Sequence, residues 1–303
     1  MIATPQKQLN ITTLPSAAEK ELELRRLMRE MRRVLVAYSG GVDSSYLALI
    51  ATQELGKDAL CVMGISPSVS EFQRQEGQRT ALAGSFNYRT VDTDELEMPD
   101  YRANPQNRCY FCKSELYDKL ALIAGEEKIN FVIDGTNADD TGDYRPGRTA
   151  AEERKVLSPL VEIGMTKEDI RGLSKLHGLS SWDKPASPCL SSRIAYGIPV
   201  TIERLSQVER GEILLRSEGF IEFRVRVHGD LVRIEIARDE LQRAMDIVLA
   251  DRLRNAFKKL GFKYVTLDLE GFRSGGMNAE LAIRRFKDKG QLEKLRNGKS
   301  DGR

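Results

Sequence analysis

Four cysteines in 303 residues are too few for a disulfide scaffold, so Cys61, Cys109, Cys112 and Cys189 are read as reduced thiols, free for metals or chemistry. No apolar run approaches the roughly 20 residues of a membrane span. The chain does not open with a basic segment followed by a long apolar one, so a cytoplasmic protein with no membrane partner is expected. Charge of one sign is also missing: Lys plus Arg total 47 and Asp plus Glu 45, a formal net of +2. That balance excludes bulk electrostatic capture of nucleic acid, and an anionic ligand must be held by local donors. A Gly-x-x-x-x-Gly-Lys-Ser/Thr phosphate loop is absent, because Lys57 and Lys299, the lysines that follow a glycine, lack the second glycine upstream. Internal repeats are absent too.

What is present is an alternating α/β pattern, with hydrophobic residues at 41%, enough for a sizeable core. Residues 34–38 read as a buried strand, followed by Ser39-Gly40-Gly41-Val42-Asp43-Ser44-Ser45 and a helix from Tyr46 onward. Strand, paired glycines and helix entrance aim backbone N–H groups and the positive end of a helix dipole at one point, with Ser hydroxyls as extra donors. That point wants a pyrophosphate. A second buried strand at 58–65 carries Cys61 as a core residue and ends in Gly64, Ile65 and Ser66, at the kind of strand end where ligands sit. A helix over 71–83 and a strand at 87–91 continue the alternation and predict a doubly wound parallel sheet, covered on both faces. Before it, a helix over 19–33 with Leu22, Leu27 and Met31 at helical spacing is predicted to cover one sheet edge.

Cys109-Tyr110-Phe111-Cys112 stands between Arg108 and Lys113 at a helix entrance, where the dipole and both cations favour thiolates. A strand at 131–133 runs into Asp134-Gly135-Thr136-Asn137-Ala138-Asp139-Asp140, whose aspartates suit magnesium beside a polyphosphate or, equally, a solvated helix cap. Arg145 and Arg148 follow, able to meet a phosphate or carboxylate. Thr166 and Asp169 cap a helix over 167–176, and His177 at its end is read as a charge partner. Residues 182–193, with Pro185, Pro188 and Cys189, read as a long functional loop. From 201 onward the pattern is a helix over 203–217, strands at 223–227 and 232–236, a helix over 241–260 and a strand at 264–267, a smaller second α/β domain. Its first strand sets Arg224, Arg226 and His228 on one exposed face, which is either solvated charge or a phosphate clamp. The expected division is a lead-in at 1–18, a nucleotide domain at 19–198, the small domain at 199–276 and a basic disordered tail at 277–303.

With SGGVDSS, GISPS, NRCYFCK, DGTNADD, DYRPGR, WDKPASPCLSSR and FRVRVHG in one order, the chain resembles the LarE-type ATP-dependent sulfurtransferases of the N-type ATP pyrophosphatase (PP-loop) superfamily, from about residue 19 to 276. The resemblance implies an adenine nucleotide alpha-hydrolase-like sheet. It implies ATP with Mg²⁺ at Ser39, Gly40, Gly41, Asp43, Ser44 and Ser45, with Ser39 and Asp43 acting in catalysis. Gly64, Ile65 and Ser66 would cup the adenine, Gly135 and Asp139 would complete the nucleotide site, and Asp43 and Asp139 would hold the magnesium. The substrate implied is pyridinium-3,5-biscarboxylic acid mononucleotide, adenylated and then thiolated toward the nickel-pincer nucleotide cofactor of lactate racemase. Arg224 and Arg226 would meet its phosphate, with Glu212, Arg145, Arg148, Ser192 and Arg193 around it. Cys189 matches the family's sulfur-handling cysteine, which in one branch gives up its own sulfur and becomes dehydroalanine. The added Cys109 and Cys112 fit the other branch, in which three cysteines hold a [4Fe–4S] cluster whose open iron carries extra sulfide. Zinc would need a fourth ligand that neither His177 nor His228 is placed to supply, whereas the Cys-x-x-Cys spacing permits a disulfide. A homo-oligomer, a hexamer, is expected by the same resemblance. The alternatives are a tRNA thiolation enzyme, which the near-neutral charge disfavours, an amidating ligase, which would leave the cysteines unexplained, and a nucleotide or Fe–S carrier without chemistry.

Overall fold

The computed structural model describes residues 15–142, 146–185 and 188–273. Arg145, the basic tail and most of the lead-in lie outside the described residues. The first sheet has four parallel strands, β1 (Val34–Ala37), β2 (Ala59–Ile65), β3 (Asn87–Asp92) and β4 (Phe131–Asp134), in the order β3-β2-β1-β4. β1 is buried along its whole length, as its Val-Leu-Val-Ala sequence requires of a strand covered on both faces. Val34 and Val36 join the core beneath α1 (Ala17–Met31), α2 (Val42–Leu55), α7 (Pro159–Glu162) and α8 (Lys167–Leu176), while Leu35 and Ala37 face α5 (Arg108–Glu126) and α6 (Pro146–Glu153). The chain builds outward from β1 to β3 through α3 (Glu71–Ala83), then crosses back to lay β4 on the other side of β1. The order therefore reverses beside β1, and its C-terminal end opens on a topological switch point.

The expectation for the first helix needs correcting. Leu24 and Met28 are its fully buried residues, with Leu27 and Met31 partly buried against the core, whereas Leu22 is 65% exposed. Leu22 lies about 200° around the helix from Leu24, so it cannot share the buried stripe. The start of the helix is held by a capping box between Ser16 and Glu19, and Thr166 and Asp169 form the same reciprocal pair at α8.

The smaller sheet orders β5 (Phe223–His228), β6 (Leu231–Ile236) and β7 (Tyr264–Leu267) consecutively, antiparallel and then parallel. It packs against α9 (Ile202–Ser217) and α11 (Ile247–Lys259) through Val225, Val227, Ile234, Leu205, Val208, Leu253 and Phe257. The single helix expected over 241–260 is two helices, α10 (Leu241–Ala244) and α11, because Asp246 caps α11 by accepting from the Val248 and Leu249 N–H groups. Tyr101 of α4 (Pro99–Arg102), together with Leu190, Ile194 and Val200, belongs to this second core, and Ile194 bridges to Val227 of β5. The segment that follows Cys189 thus packs on the second sheet, while the Leu190 N–H donates to the Ser68 carbonyl just after β2. Among the described residues no helix is long and apolar enough to cross a membrane.

Met28→Ala should cost about 2–4 kcal/mol in chemical denaturation, as expected for truncating a buried chain. Leu22→Ala, on the exposed side of the same helix, should change stability by less than about 0.5 kcal/mol.

Candidate active site

Ser39, Gly40 and Gly41 occupy the end of β1 at the switch point. Gly40 has φ +73°, and a Cβ on it would stand 2.7 Å from the Gly77 Cα of α3, so the loop passes too close to a helix for any side chain. Gly41 caps α2 with no side-chain acceptor. Ser44 Oγ lies 3.0 Å from Ser39 Oγ and accepts from the Ser39 N–H, which folds the loop over the helix entrance. Ser45 differs from the expectation of a ligand donor: it is fully buried, its hydroxyl donates to Tyr38, and its N–H is taken by the Gly41 carbonyl. Gly135 completes the cradle from β4. A Cβ there would lie 2.7 Å from Ser44 N and 2.9 Å from Ser44 Cα, so strand end and helix entrance meet backbone to backbone.

The carboxylates divide by partner. Asp134 is saturated, accepting from Tyr117, Ser158 and both the hydroxyl and N–H of Thr136, which makes it a brace for the strand end. Asp43 Oδ2 pairs with Lys167 Nζ at 2.5 Å, and Asp139 Oδ2 accepts the Lys167 N–H at 2.8 Å. One lysine at the start of α8 therefore joins the two carboxylates named for magnesium. Asp43 Oδ1 is buried without a hydrogen-bond partner. A carboxylate oxygen left over at a phosphate cradle, with a second carboxylate nearby, fits an ion that takes one or two carboxylates plus phosphate. Lys167 carried no motif signal beyond opening a helix, and only its fold position reveals the contact.

At the end of β2, a Cβ on Gly64 would collide with Leu116, and Ile65 is half-buried. The Ser66 hydroxyl is engaged by Glu95 at 2.5 Å. Glu95 is 1% exposed, its Oε2 has no partner, and nothing in the sequence marked it.

Cys109, Cys112 and Cys189 are all free thiols. The expectation of thiolates favoured by the helix entrance is reversed for the pair on α5. Burial, then Glu95, pushes the Cys112 thiol well up. Cys109 keeps an exposed side chain, but crowding by the surrounding chain, then Cys189, raises it, with Arg108 and Lys113 opposing. Desolvation outweighs the dipole and the two cations. Cys61 is buried in β2 and pushed up to about 12 by burial, as a core thiol should be. The three crevice thiols lie near enough to perturb one another, yet among the described residues no three His, Cys, Asp or Glu side chains are close enough to hold a metal ion. Their chemistry suits an iron–sulfur cluster, but closing around one would require the sulfurs to draw together.

The segment at Cys189 is heavily tied. Its carbonyl accepts from the Ser192 N–H and hydroxyl and from Arg193, which also donates to the Pro188 carbonyl. Arg193 pairs with Glu212 at 2.8 Å, and Arg226 pairs with Glu235 at 3.0 Å while donating to the Ser192 carbonyl. The exposed arginine face expected on β5 is therefore corrected. Arg226 is 5% exposed, because its guanidinium is taken up by Glu235 of β6 and the Ser192 carbonyl. Arg224 is half-buried, donates to the Phe223 carbonyl and stands 4.7 Å over the Phe272 ring. Burial, followed by Arg193, lowers its guanidinium to about 10. Arg233 joins the group, donating to Glu235 at 3.1 Å and pairing with Asp268 at 3.5 Å. Arg148 bonds within its own neighbourhood, to the Thr141 carbonyl and Glu152. His177 meets Glu21 of α1 at 2.9 Å, away from this crevice.

No family model matches the chain. An uncharacterized protein of Synechocystis sp. is 46% identical over 264 residues, 87% of this chain and 98% of that protein. A pyridinium-3,5-bisthiocarboxylic acid mononucleotide synthase of Lactiplantibacillus plantarum is 36% identical over 269 residues, 88% of this chain and 97% of that enzyme. A more distant match is a chain of the glutamine-hydrolyzing GMP synthase of Thermoplasma acidophilum, 27% identical over 194 residues, 59% of this chain and 61% of that one.

Gly135→Ala should destabilise the fold by about 1–3 kcal/mol by wedging β4 off α2. Gly125→Ala in α5, whose Cβ would meet nothing within 4 Å, should stabilise it by up to about 1 kcal/mol, and paired thermal melts check both.

Proposed function

The chain belongs to the family of the pyridinium-3,5-bisthiocarboxylic acid mononucleotide synthase, and from that premise we propose that it is an ATP-dependent sulfurtransferase acting on pyridinium-3,5-biscarboxylic acid mononucleotide. One observation carries the reading furthest: an anion cradle and a group of thiols meet within a few residues. Lys113, next to Cys112, stands 5.3 Å over the Tyr117 ring, Tyr117 donates to Asp134, and the next residue, Gly135, packs on Ser44 of the cradle. A phosphate activated at one end of this line lies beside sulfur chemistry at the other.

In this mechanism ATP places its β- and γ-phosphates on the Ser39–Ser44 loop and the entrance of α2. A substrate carboxylate oxygen bonds to the α-phosphorus, the bond to the β-phosphate bridging oxygen breaks, and pyrophosphate leaves. The protein's part is positioning and charge neutralisation. Lys167 follows the departing charge from its place at Asp43. Asp43 and Asp139 would hold magnesium, which when bound supplies further neutralisation of the phosphates. A sulfur nucleophile then bonds to the acyl carbon and AMP departs with the original carboxylate oxygen, leaving a thiocarboxylate. Arg224 would meet the substrate phosphate. Arg193, Arg226, Glu212 and Ser192 shape the floor beneath it, and Arg148 sits farther along. Cys189 handles the sulfur. With Cys109 and Cys112 it would hold a [4Fe–4S] cluster, which when bound supplies an iron without a protein thiolate, able to carry added sulfide. A homo-oligomer, by resemblance a hexamer, goes with the same proposal.

The test is pyrophosphate release from ATP that depends on the mononucleotide. Asp43→Ala should reduce it by at least about a hundredfold, and Arg224→Glu should raise KM for the mononucleotide about tenfold or more with little change in KM for ATP. Release driven by tRNA, or no release under any substrate, would overturn the assignment. Separately, anaerobically prepared protein should contain iron and acid-labile sulfide, and Ser in place of any one of Cys109, Cys112 or Cys189 should remove most of it. Unchanged iron in any of the three variants counts against the cluster.

A further inference from the structure

Three buried hydroxyls form a line that ends on the Cys189 sulfur. Ser191 Oγ donates to Cys189 Sγ at 3.5 Å, Tyr101 Oη lies 2.7 Å from Ser191 Oγ, and Ser68 Oγ lies 2.7 Å from Tyr101 Oη. Tyr101 is 1% exposed, and both serines are equally enclosed. Each hydroxyl has a single proton to give. The Ser191 proton is committed to the sulfur, so Tyr101 must donate to Ser191 and Ser68 must donate to Tyr101. Every O–H along the line therefore points toward Cys189.

The participants come from three separate segments: the residues after β2, helix α4, and the turn after Cys189. The Tyr101 ring packs in the second core with Leu190 and Ile194, a place that phenylalanine would fill as well. A buried phenol hydroxyl is costly without partners, and this one has two, Ser68 on one side and, on the other, Ser191 at the Cys189 sulfur. Backbone contacts pin the same segment on either side. The Leu190 N–H donates to the Ser68 carbonyl at 2.8 Å, and the Arg108 guanidinium, itself buried, donates to the Ser191 carbonyl at 2.9 Å.

We propose that Tyr101 and Ser191 are positioning residues for Cys189: the hydroxyl line fixes its side chain beside the end of β2 and presents one O–H to its sulfur. A donor already aimed at the sulfur stabilises the negative charge that it carries as it reacts, with no reorganisation at that moment. Tyr101 acts only through Ser191. Without the phenol proton, the Ser191 hydroxyl is free to rotate away from the sulfur and satisfy another acceptor. The proposal rests on Cys189 as the sulfur-handling residue.

The experiment measures the rate of Cys189 alkylation by iodoacetamide relative to Cys109 in the same sample, by peptide mass spectrometry, with thermal melts run alongside. Tyr101→Phe and Ser191→Ala should each lower the Cys189-to-Cys109 ratio about fivefold. Because the line is serial, the double variant should also lie about fivefold below wild type and not about twenty-five-fold, a coupling that independent structural damage does not produce. Should Ser191→Ala fail to fold, Ser68→Ala with Tyr101→Phe forms the same cycle one link back. An unchanged ratio in folded single variants, or effects that multiply in the double variant, would overturn the proposal. Cys189→Ala tests the underlying assignment by itself. Thiocarboxylate formation retained there would remove the sulfur-handling role, while the alkylation ratio reports on the hydroxyl line whatever that result.

Discussion

Backbones approach one another without intervening side chains at the end of β1, and this sets the geometry of everything around it. Gly40 passes 2.7 Å, measured from a would-be Cβ, from the Gly77 backbone of α3, and Gly135 stands equally close to Ser44 at the entrance of α2. The loop is squeezed between a helix on one side and a strand end on the other. Its N–H groups are therefore fixed in direction before any ligand arrives, and no reorganisation has to be supplied on binding. The same squeeze sets the position of β4, and with it Asp134, whose four accepted hydrogen bonds hold the strand end rigid.

Charge is arranged around this cradle with few spare partners. Lys167 bridges Asp43 and Asp139 from the first residue of α8, and α8 is tied to α1 by Lys20 on Asp169 and by His177 on Glu21. The ammonium thus sits on a helix anchored at both ends. An incoming polyphosphate would find a fixed cation and a carboxylate oxygen without a partner, the two charges that a metal-assisted phosphoryl site needs. On the far side, Arg193 with Glu212 and Arg226 with Glu235 are buried pairs. Such pairs contribute little net stability once desolvation is counted, but removing one partner is severe. Their use here is registry: Arg193 gathers the carbonyls of Pro188 and Cys189 and ties them to Glu212 of α9, while Arg226 of β5 holds the Ser192 carbonyl.

Local pattern made the alternating strands and helices, the glycine cradle and the Thr166–Asp169 cap legible, because each follows from nearest neighbours in sequence. The exposed arginine face of β5 was misread for the opposite reason. Alternation says that Arg224 and Arg226 share a face, but what encloses Arg226 on that face comes from elsewhere in the chain: the Ser192 carbonyl, some thirty residues earlier, and Glu235 on the neighbouring strand. Leu22 was misplaced because a three-residue selection of apolar positions fixes helical phase poorly. Ion pairs at Glu21 and Arg25 occupy the side that Leu22 adjoins, and the buried stripe runs through Leu24 and Met28. Lys167, Glu95 and Tyr101 gave no signal, since a lone lysine, glutamate or tyrosine acquires its meaning only from what the fold sets beside it.

The thiols show why burial and reactivity have to be weighed together. A Cys-x-x-Cys at a helix entrance between two cations looks activated on the page of a sequence, yet desolvation drives Cys112 and Cys109 the other way, with Glu95 adding to it at Cys112. A buried thiol of this kind gives up its proton only when something replaces the lost solvation. A metal does so outright, since a coordinating thiol is deprotonated. The alternative is a hydrogen-bond donor or a cation held at the sulfur. Cys189 has both nearby, the Ser191 hydroxyl at the sulfur itself and Arg108 on the Ser191 carbonyl, while Cys112 has Glu95 close by. The three cysteines are therefore not equivalent: Cys189 has a hydroxyl donor at its sulfur, whereas the surroundings of Cys112 suit a thiol that stays neutral until a metal takes its proton's place.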